Sequence, residues 1–173
     1  RSTQSEPQGK YPDRKYDKPR HWTDSAPADS IKTHQLTIVE LNTADSAQLV
    51  ALRGIGPVLA KRIISYRSRL GGYYSVDQLR EIKSLPDETL TNIYIQLTVD
   101  TTQIARVNLN NFEYKDLSRH PYLPIAQLKT IMNFRKVAGK FKSVHDLLKY
   151  HLVDTAVYYR MLPYIEVDVT NIK

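Results

Sequence analysis

A chain of 173 residues and 20.0 kDa, 41% hydrophobic, has room for one ordinary domain or two small ones. It has no cysteine, which excludes a disulfide scaffold, a thiol nucleophile and a cysteine-ligated metal, and it has no apolar run long enough to span a membrane. With 25 basic against 18 acidic residues the formal charge is +7 and the isoelectric point is near 9.5, a balance that favours acidic partners such as nucleic acid.

Residues 1–35 read as an extended, poorly structured arm, because Pro7, Pro12 and Pro19 interrupt a polar stretch without apolar periodicity. Its isolated aromatics, Tyr11, Tyr16 and Trp22, offer an alternative in which the arm docks a protein partner with Trp22 as the anchor. From Gln35 the texture changes. Leu36 to Leu41 alternates weakly as a short extended lead-in, and Ala44 to Leu52 follows as a short helix, with Asn42 or Thr43 as cap and Asp45 in the first turn. Gly54-Ile55-Gly56 is a hairpin turn. Pro57 to about Arg69 is a longer helix, with Pro57 at its first position, where the missing N–H costs nothing. Ile55, Leu59, Ile63 and Tyr66 share one face of it, and Gly71-Gly72 ends it. Ser75 caps a third helix running from Val76 to about Ile82. A turn at Ser84-Leu85-Pro86-Asp87 leads to a fourth, which ends near Tyr94, and the chain leaves as Gln96-Leu97-Thr98-Val99.

A shift of 68 positions lays this pattern on the rest of the chain. Leu41-Asn42 falls on Leu109-Asn110, Leu49 on Leu117, Ile55 on Leu123 and Ile63 on Ile131. Tyr66-Arg67 falls on Phe134-Arg135, Gly71 on Gly139, Tyr73 on Phe141, Ser75-Val76 on Ser143-Val144 and Leu79 on Leu147. A local slip is expected near residue 85, before Val99-Asp100 falls on Val167-Asp168. The chain therefore divides into the arm (1–35), a first copy (36–100), a linker (101–106), a second copy (107–168) and a tail (169–173). Each copy is a pair of helix–turn–helix hairpins with little or no sheet.

The stretch from Leu49 through Leu52, Gly54-Ile55-Gly56 and Ala60 to Ile63 carries the chemistry. Two glycines allow a sharp turn with positive φ and close approach by another backbone, and Ala60 lets the helices pack tightly. The turn leaves free N–H groups at the start of the second helix, where phosphate oxygen binds, and Lys61 and Arg62 stand one turn further on. None of these side chains aims at a base edge, so the binding would be independent of sequence. This segment resembles a helix-hairpin-helix DNA-binding motif, and the doubled hairpin looks like the domain of ComEA-type competence DNA receptors. The stretch Arg67 to Leu79 is similar to that family. The second copy, with Arg119-His120-Pro121-Tyr122 and Phe141-Lys142-Ser143-Val144, resembles helix-hairpin-helix proteins common in Bacteroidetes.

The resemblance covers about residues 36–168. It implies an all-α fold of two tandem helix-hairpin-helix repeat domains (SAM-like small helical domains) behind the arm. It also implies phosphate contact at Gly54, Ile55, Gly56 and Lys61 with non-specific double-stranded DNA, no cofactor, and a membrane anchor at a bacterial cell envelope through a segment outside this sequence. Only the first hairpin keeps Gly-Ile-Gly. The second, Ser84 to Glu88, sets two carboxylates where phosphate would sit, the third reads Tyr122-Leu123-Pro124, and the fourth, Leu152-Val153-Asp154, is again acidic.

Charge is placed unevenly. No acidic residue lies between Asp45 and Asp77, where Arg53, Lys61, Arg62, Arg67 and Arg69 occur. The same holds between Asp116 and Asp146 for Arg119, Lys129, Arg135, Lys136, Lys140 and Lys142. Arg53, Arg67, Arg69, Lys129, Arg135 and Lys136 are thus supporting basic candidates beside Lys61 and Arg62. Residues 40–100 balance seven basic against seven acidic side chains, while 101–173 carry eleven against six.

The histidines show no metal spacing, the carboxylates no catalytic pairing and Gly54-x-Gly56 no nucleotide loop, so the expectation is a non-enzymatic DNA-binding module. Its rivals are a protein-interaction or scaffold module and an accessory unit that supplies DNA affinity to a separate nuclease.

Overall fold

The computed structural model describes residues 37–168. The expectations for the arm, Trp22 and the tail lie outside the described residues.

The first copy opens with β1 (Val39–Glu40) and a tight turn into α1 (Ser46–Val50). The cap of α1 is Asp45 and not Asn42 or Thr43: its carboxylate accepts from the Gln48 N–H at 2.8 Å while Gln48 accepts from the Asp45 N–H at 3.0 Å. α2 (Pro57–Leu70) follows, capped by Gly56 with Pro57 at its first position, and closed by Gly71 in the left-handed region at φ 82°. The expected third helix is a 3₁₀ helix (Val76–Glu81), started by a reciprocal cap between Ser75 and Gln78. α3 (Asp87–Ile93), a 3₁₀ turn (Tyr94–Gln96) and β2 (Leu97–Thr98) complete the copy. β2 pairs in parallel with β1, Val39 opposite Leu97, so each copy is closed by a two-residue strand pair that the sequence did not announce.

The stretch expected as a linker is built into the fold. Asp100 caps a 3₁₀ turn (Thr101–Gln103), Ile104 is buried, and the Ala105 N–H donates to the Gly71 carbonyl at 2.8 Å. The second copy then runs β3 (Val107–Asn108), α4 (Tyr114–Leu117), α5 (Ile125–Ala138), α6 (Asp146–Lys149), α7 (Thr155–Met161), a 3₁₀ turn (Leu162–Tyr164) and β4 (Ile165–Glu166), with β3 and β4 again parallel. β1, α2, α3 and β2 recur in β3, α5, α7 and β4 at the same spacing of 68, so no slip is needed near residue 85.

The recurrence extends to partly buried polar groups. The Asn42 amide donates to the Tyr73 carbonyl and accepts from the Tyr73 N–H, and Asn110 does the same with Phe141. The Arg67 guanidinium donates to the Leu41 and Ala44 carbonyls, both at 2.8 Å. Arg135 donates to their counterparts, Leu109 at 3.2 Å and Phe112 at 2.8 Å. These bonds tie the loop before the first helix to the far end of the long one. Around them Leu49, Leu52, Ile55, Ala60, Ile63 and Leu79 are buried in the first copy, and Leu117, Leu123, Leu128, Ile131, Phe141 and Leu147 in the second. Tyr73, Tyr158 and Tyr164 are core residues, whereas Tyr159 is 63% exposed.

Candidate nucleic-acid interface

The first hairpin is fixed by its apolar residues and left open at its tip. Leu52 and Ile55 are buried on either side of the turn, and the Ile55 N–H donates to the Leu52 carbonyl at 3.0 Å. Gly54 sits at φ 89°, and a Cβ there would stand 2.7 Å from Thr89 Cγ2 on α3, so this glycine is required twice over. Gly56 differs. Its φ is −88°, which any residue adopts, and nothing lies within 4 Å of where a Cβ would be. The expected positive φ therefore belongs to Gly54 alone, and Gly56 keeps the tip bare.

The Ala60 N–H donates to the Gly56 carbonyl at 3.0 Å, whereas the backbone N–H groups of Gly54, Gly56, Val58 and Leu59 have no partner among the described residues. Such unpaired amides at the N-terminus of a 14-residue helix carry its positive dipole end and suit an anion. Lys61 stands one turn into this helix. Lys61 is exposed and, like Arg53, forms no ion pair among the described residues.

The other basic candidates separate into two groups. Lys129 and Lys136 on α5 are exposed. Arg62 is exposed as well, but its Nη1 donates to the Lys83 carbonyl at 3.0 Å, and Arg69 reaches the Arg119 carbonyl with Nε at 3.3 Å. Arg67 and Arg135 do not belong on a basic face. Both are half-buried with their guanidiniums on loop carbonyls, and Arg135 also lies 4.4 Å from the centre of the Phe112 ring.

The remaining hairpins show why their tips differ. In the third, Tyr122 replaces Gly54, and its N–H donates to His120 Nδ1 at 3.3 Å. Pro124 replaces Gly56 as the helix cap and has no N–H to offer. In the second, Ser84 adopts φ 73° and Pro86 takes the cap, with Asp87 held by Arg80 at 2.9 Å. In the fourth, His151 takes φ 52° and Asp154 caps α7.

The copies meet across a polar seam that sequence reasoning missed, since it joins residues up to 86 positions apart. Gln78 donates to the hydroxyls of Tyr122 at 2.8 Å and Tyr164 at 2.7 Å, while Tyr66, Tyr122 and Arg160 all donate to the Glu81 carboxylate. Burial, with Glu81 beside it, pushes Tyr66 well above the usual phenol range, so it stays protonated as a donor. His120 is buried in the same seam against Tyr122 and Tyr164. Desolvation lowers it to about 4, the Leu70 carbonyl opposes that shift and Arg69 adds to it. The imidazole is therefore neutral, with Nδ1 accepting from the Tyr122 N–H and Nε2 carrying the proton. Among those residues no group of His, Asp and Glu could hold a metal ion, and no helix is long and apolar enough to cross a membrane.

Comparison with known proteins agrees with this geometry and corrects one expectation. The chain is 26% identical over 129 residues to endonuclease/exonuclease/phosphatase family domain-containing protein 1 of Danio rerio, an alignment covering 64% of the chain and 24% of the relative. It is 24% identical over 132 residues to the Xenopus laevis protein of that name, with the same coverage. It is 22% identical over 147 residues to the Homo sapiens one, covering 68% of the chain and 26% of the relative. The chain thus spans about a quarter of the length of the curated relatives it matches. Their names carry an enzyme family, and this overturns the expectation that the chain stands apart from enzymes. No solved structure matches the chain at a significant level. The family model described as helix-hairpin-helix motif matches twice, at residues 35–98 and 102–166. These two matches take in both copies and both sets of hairpins: the chain belongs to the helix-hairpin-helix motif family.

Proposed function

We propose that this chain binds double-stranded DNA without regard to sequence and carries that affinity to phosphodiester chemistry. The observation behind the binding is the first hairpin, where unpaired amides at Gly54, Gly56, Val58 and Leu59 surround a bare exposed tip, with exposed Lys61 one turn into the helix. Backbone amides and a lysine recognise phosphate oxygen and read no base edge, so affinity follows the backbone alone. The link to phosphodiester chemistry rests on relatives named for an endonuclease/exonuclease/phosphatase family domain, of which this chain matches about a quarter. In this reading the chain is the part that holds the duplex. The ComEA-type resemblance offers a second setting for the same grip, tethering of DNA at a bacterial envelope.

Fluorescence anisotropy with duplexes of unrelated sequence across a salt series tests the reading. Equal affinities with a steep salt dependence are expected, and loss of most affinity in a Gly56→Val, Lys61→Glu variant. No binding by the wild-type chain at low salt would sink it. Incubating the same duplexes with the chain and Mg2+, and following their integrity on a gel, reads any cleavage directly.

A further inference from the structure

A second basic concavity lies on α2, away from the hairpin tip. An open groove of about 580 Å3 runs between α2 and the entry to the second hairpin, lined by Arg62, Ser65 and Arg69 on one side and Lys83 and Ser84 on the other. Lys83 and Ser84 were no part of the basic windows, because they follow Asp77 and Glu81 and stand in a hairpin whose tip is acidic.

The charges in this groove are available. Arg62 uses Nη1 on the Lys83 carbonyl and Arg69 uses Nε on Arg119, which leaves most of the N–H groups of both guanidiniums free. Lys83 makes no ion pair among the described residues. The carboxylate that lines the groove, Glu81, is already compensated by Arg160 and by the hydroxyls of Tyr66 and Tyr122. Of the nearby acidic residues, Asp87 is bound to Arg80, and Glu88 stands exposed in the first turn of α3. Three cations and two serine hydroxyls thus face one neutralised carboxylate, an arrangement that favours a polyanion with spaced charges over a single small anion.

Position supports the same occupant. At 1.5 Å per residue, Arg62 and Arg69 stand roughly 8 and 18 Å along α2 from its N-terminus. A duplex lying along that length carries about ten phosphate charges, so phosphates continue past the one at the hairpin amides. We propose that the groove between Arg62, Arg69 and Lys83 is a second phosphate seat, which takes the duplex backbone where it leaves the Gly54–Gly56 hairpin. This rests on the DNA-binding reading and adds a contact that the hairpin motif alone does not supply.

The experiment is the salt dependence of duplex affinity for the full chain, comparing wild type, Lys83→Gln, and Lys83→Gln with Arg69→Gln. Each cation that seats a phosphate contributes about 3.5-fold to the affinity lost between 50 and 200 mM salt. The single variant is expected to lose one such factor and the double variant two, with melting temperatures near wild type. Lys83→Gln carries the test if Arg69→Gln disturbs the contact with Arg119. Wild-type binding that depends on Gly56 and Lys61, with an unchanged salt slope in Lys83→Gln, overturns the groove and leaves the hairpin reading intact. Absence of wild-type binding at low salt overturns both.

Discussion

Arginine and lysine share a sign on these helices but not a task. Arg67 donates to two loop carbonyls at 2.8 Å and Arg135 repeats the arrangement, so each closes the loop of its own copy. Hydrogen bonds from a charged donor to partly buried carbonyls contribute about 1.5–3 kcal/mol each way they are lost. Arg67→Met should therefore lower the unfolding free energy by about 2 kcal/mol in urea titration, with little change in DNA affinity once the folded fraction is accounted for. Lys61→Ala should do the reverse: stability within about 0.5 kcal/mol of wild type, as for other surface changes, and a clear loss of affinity. The two glycines divide in the same way. Gly54→Ala forces a methyl group into a left-handed backbone and onto Thr89, and should cost about 1–2 kcal/mol or more in thermal melts, while Gly56→Ala should melt close to wild type. None of this division was legible in the sequence. Arg67 and Lys61 both read as helix-borne cations, and the carbonyls that capture Arg67 belong to residues 23 and 26 positions upstream.

Hairpins of one length serve two purposes according to what their tips donate. The first and third share their buried flanks, and the bond from Ile55 to Leu52 recurs from Leu123 to His120 at 3.3 Å. They differ at the cap, where Gly56 has an unpaired N–H and Pro124 has none. Pro124 holds the cap at φ −60° and Gly56 at −88°, and the extended ψ of 175° at Gly56 already suits the proline that follows it. Gly56→Pro thus transplants the tip of the third hairpin onto the first and should fold normally. Removing one amide that bonds a charged phosphate should weaken duplex binding at least about tenfold by anisotropy, with circular dichroism unchanged. Undiminished affinity would show that the Gly56 amide makes no contact. The elements themselves were largely readable: apolar spacing, Pro57, Gly71 and Ser75 set the helices, and the 68-residue repeat set their number. The strand pairs were not, because two residues carry no periodicity and their partners lie 58 positions away.

The two copies form one compact unit, joined by a polar contact that is partly buried. Glu81 takes Tyr66 from its own copy and Tyr122 and Arg160 from the other, the Arg160 guanidinium lies 4.1 Å from the centre of the Tyr122 ring, and Ala105 fastens the connecting stretch to Gly71. His120 makes this assembly sensitive to acid. Its folded-state value of about 4 lies below the ordinary 6.5, so between those values the unfolded chain binds a proton that the folded chain refuses. Stability from this group is complete above about pH 6.5 and is lost progressively as pH falls toward 4, by about 3 kcal/mol at most. The first copy holds Leu52 at the equivalent buried position, which makes His120→Leu the natural control. Urea titrations at pH 7, 5.5 and 4.5 should show wild type weakening across the series with a single transition, and His120→Leu weakening far less. Equal slopes for the two proteins would place the acid sensitivity elsewhere. Two transitions in wild type at pH 7 would mean that the seam does not couple the copies, and the second copy would then hang from the first hairpin's grip on DNA without orienting it.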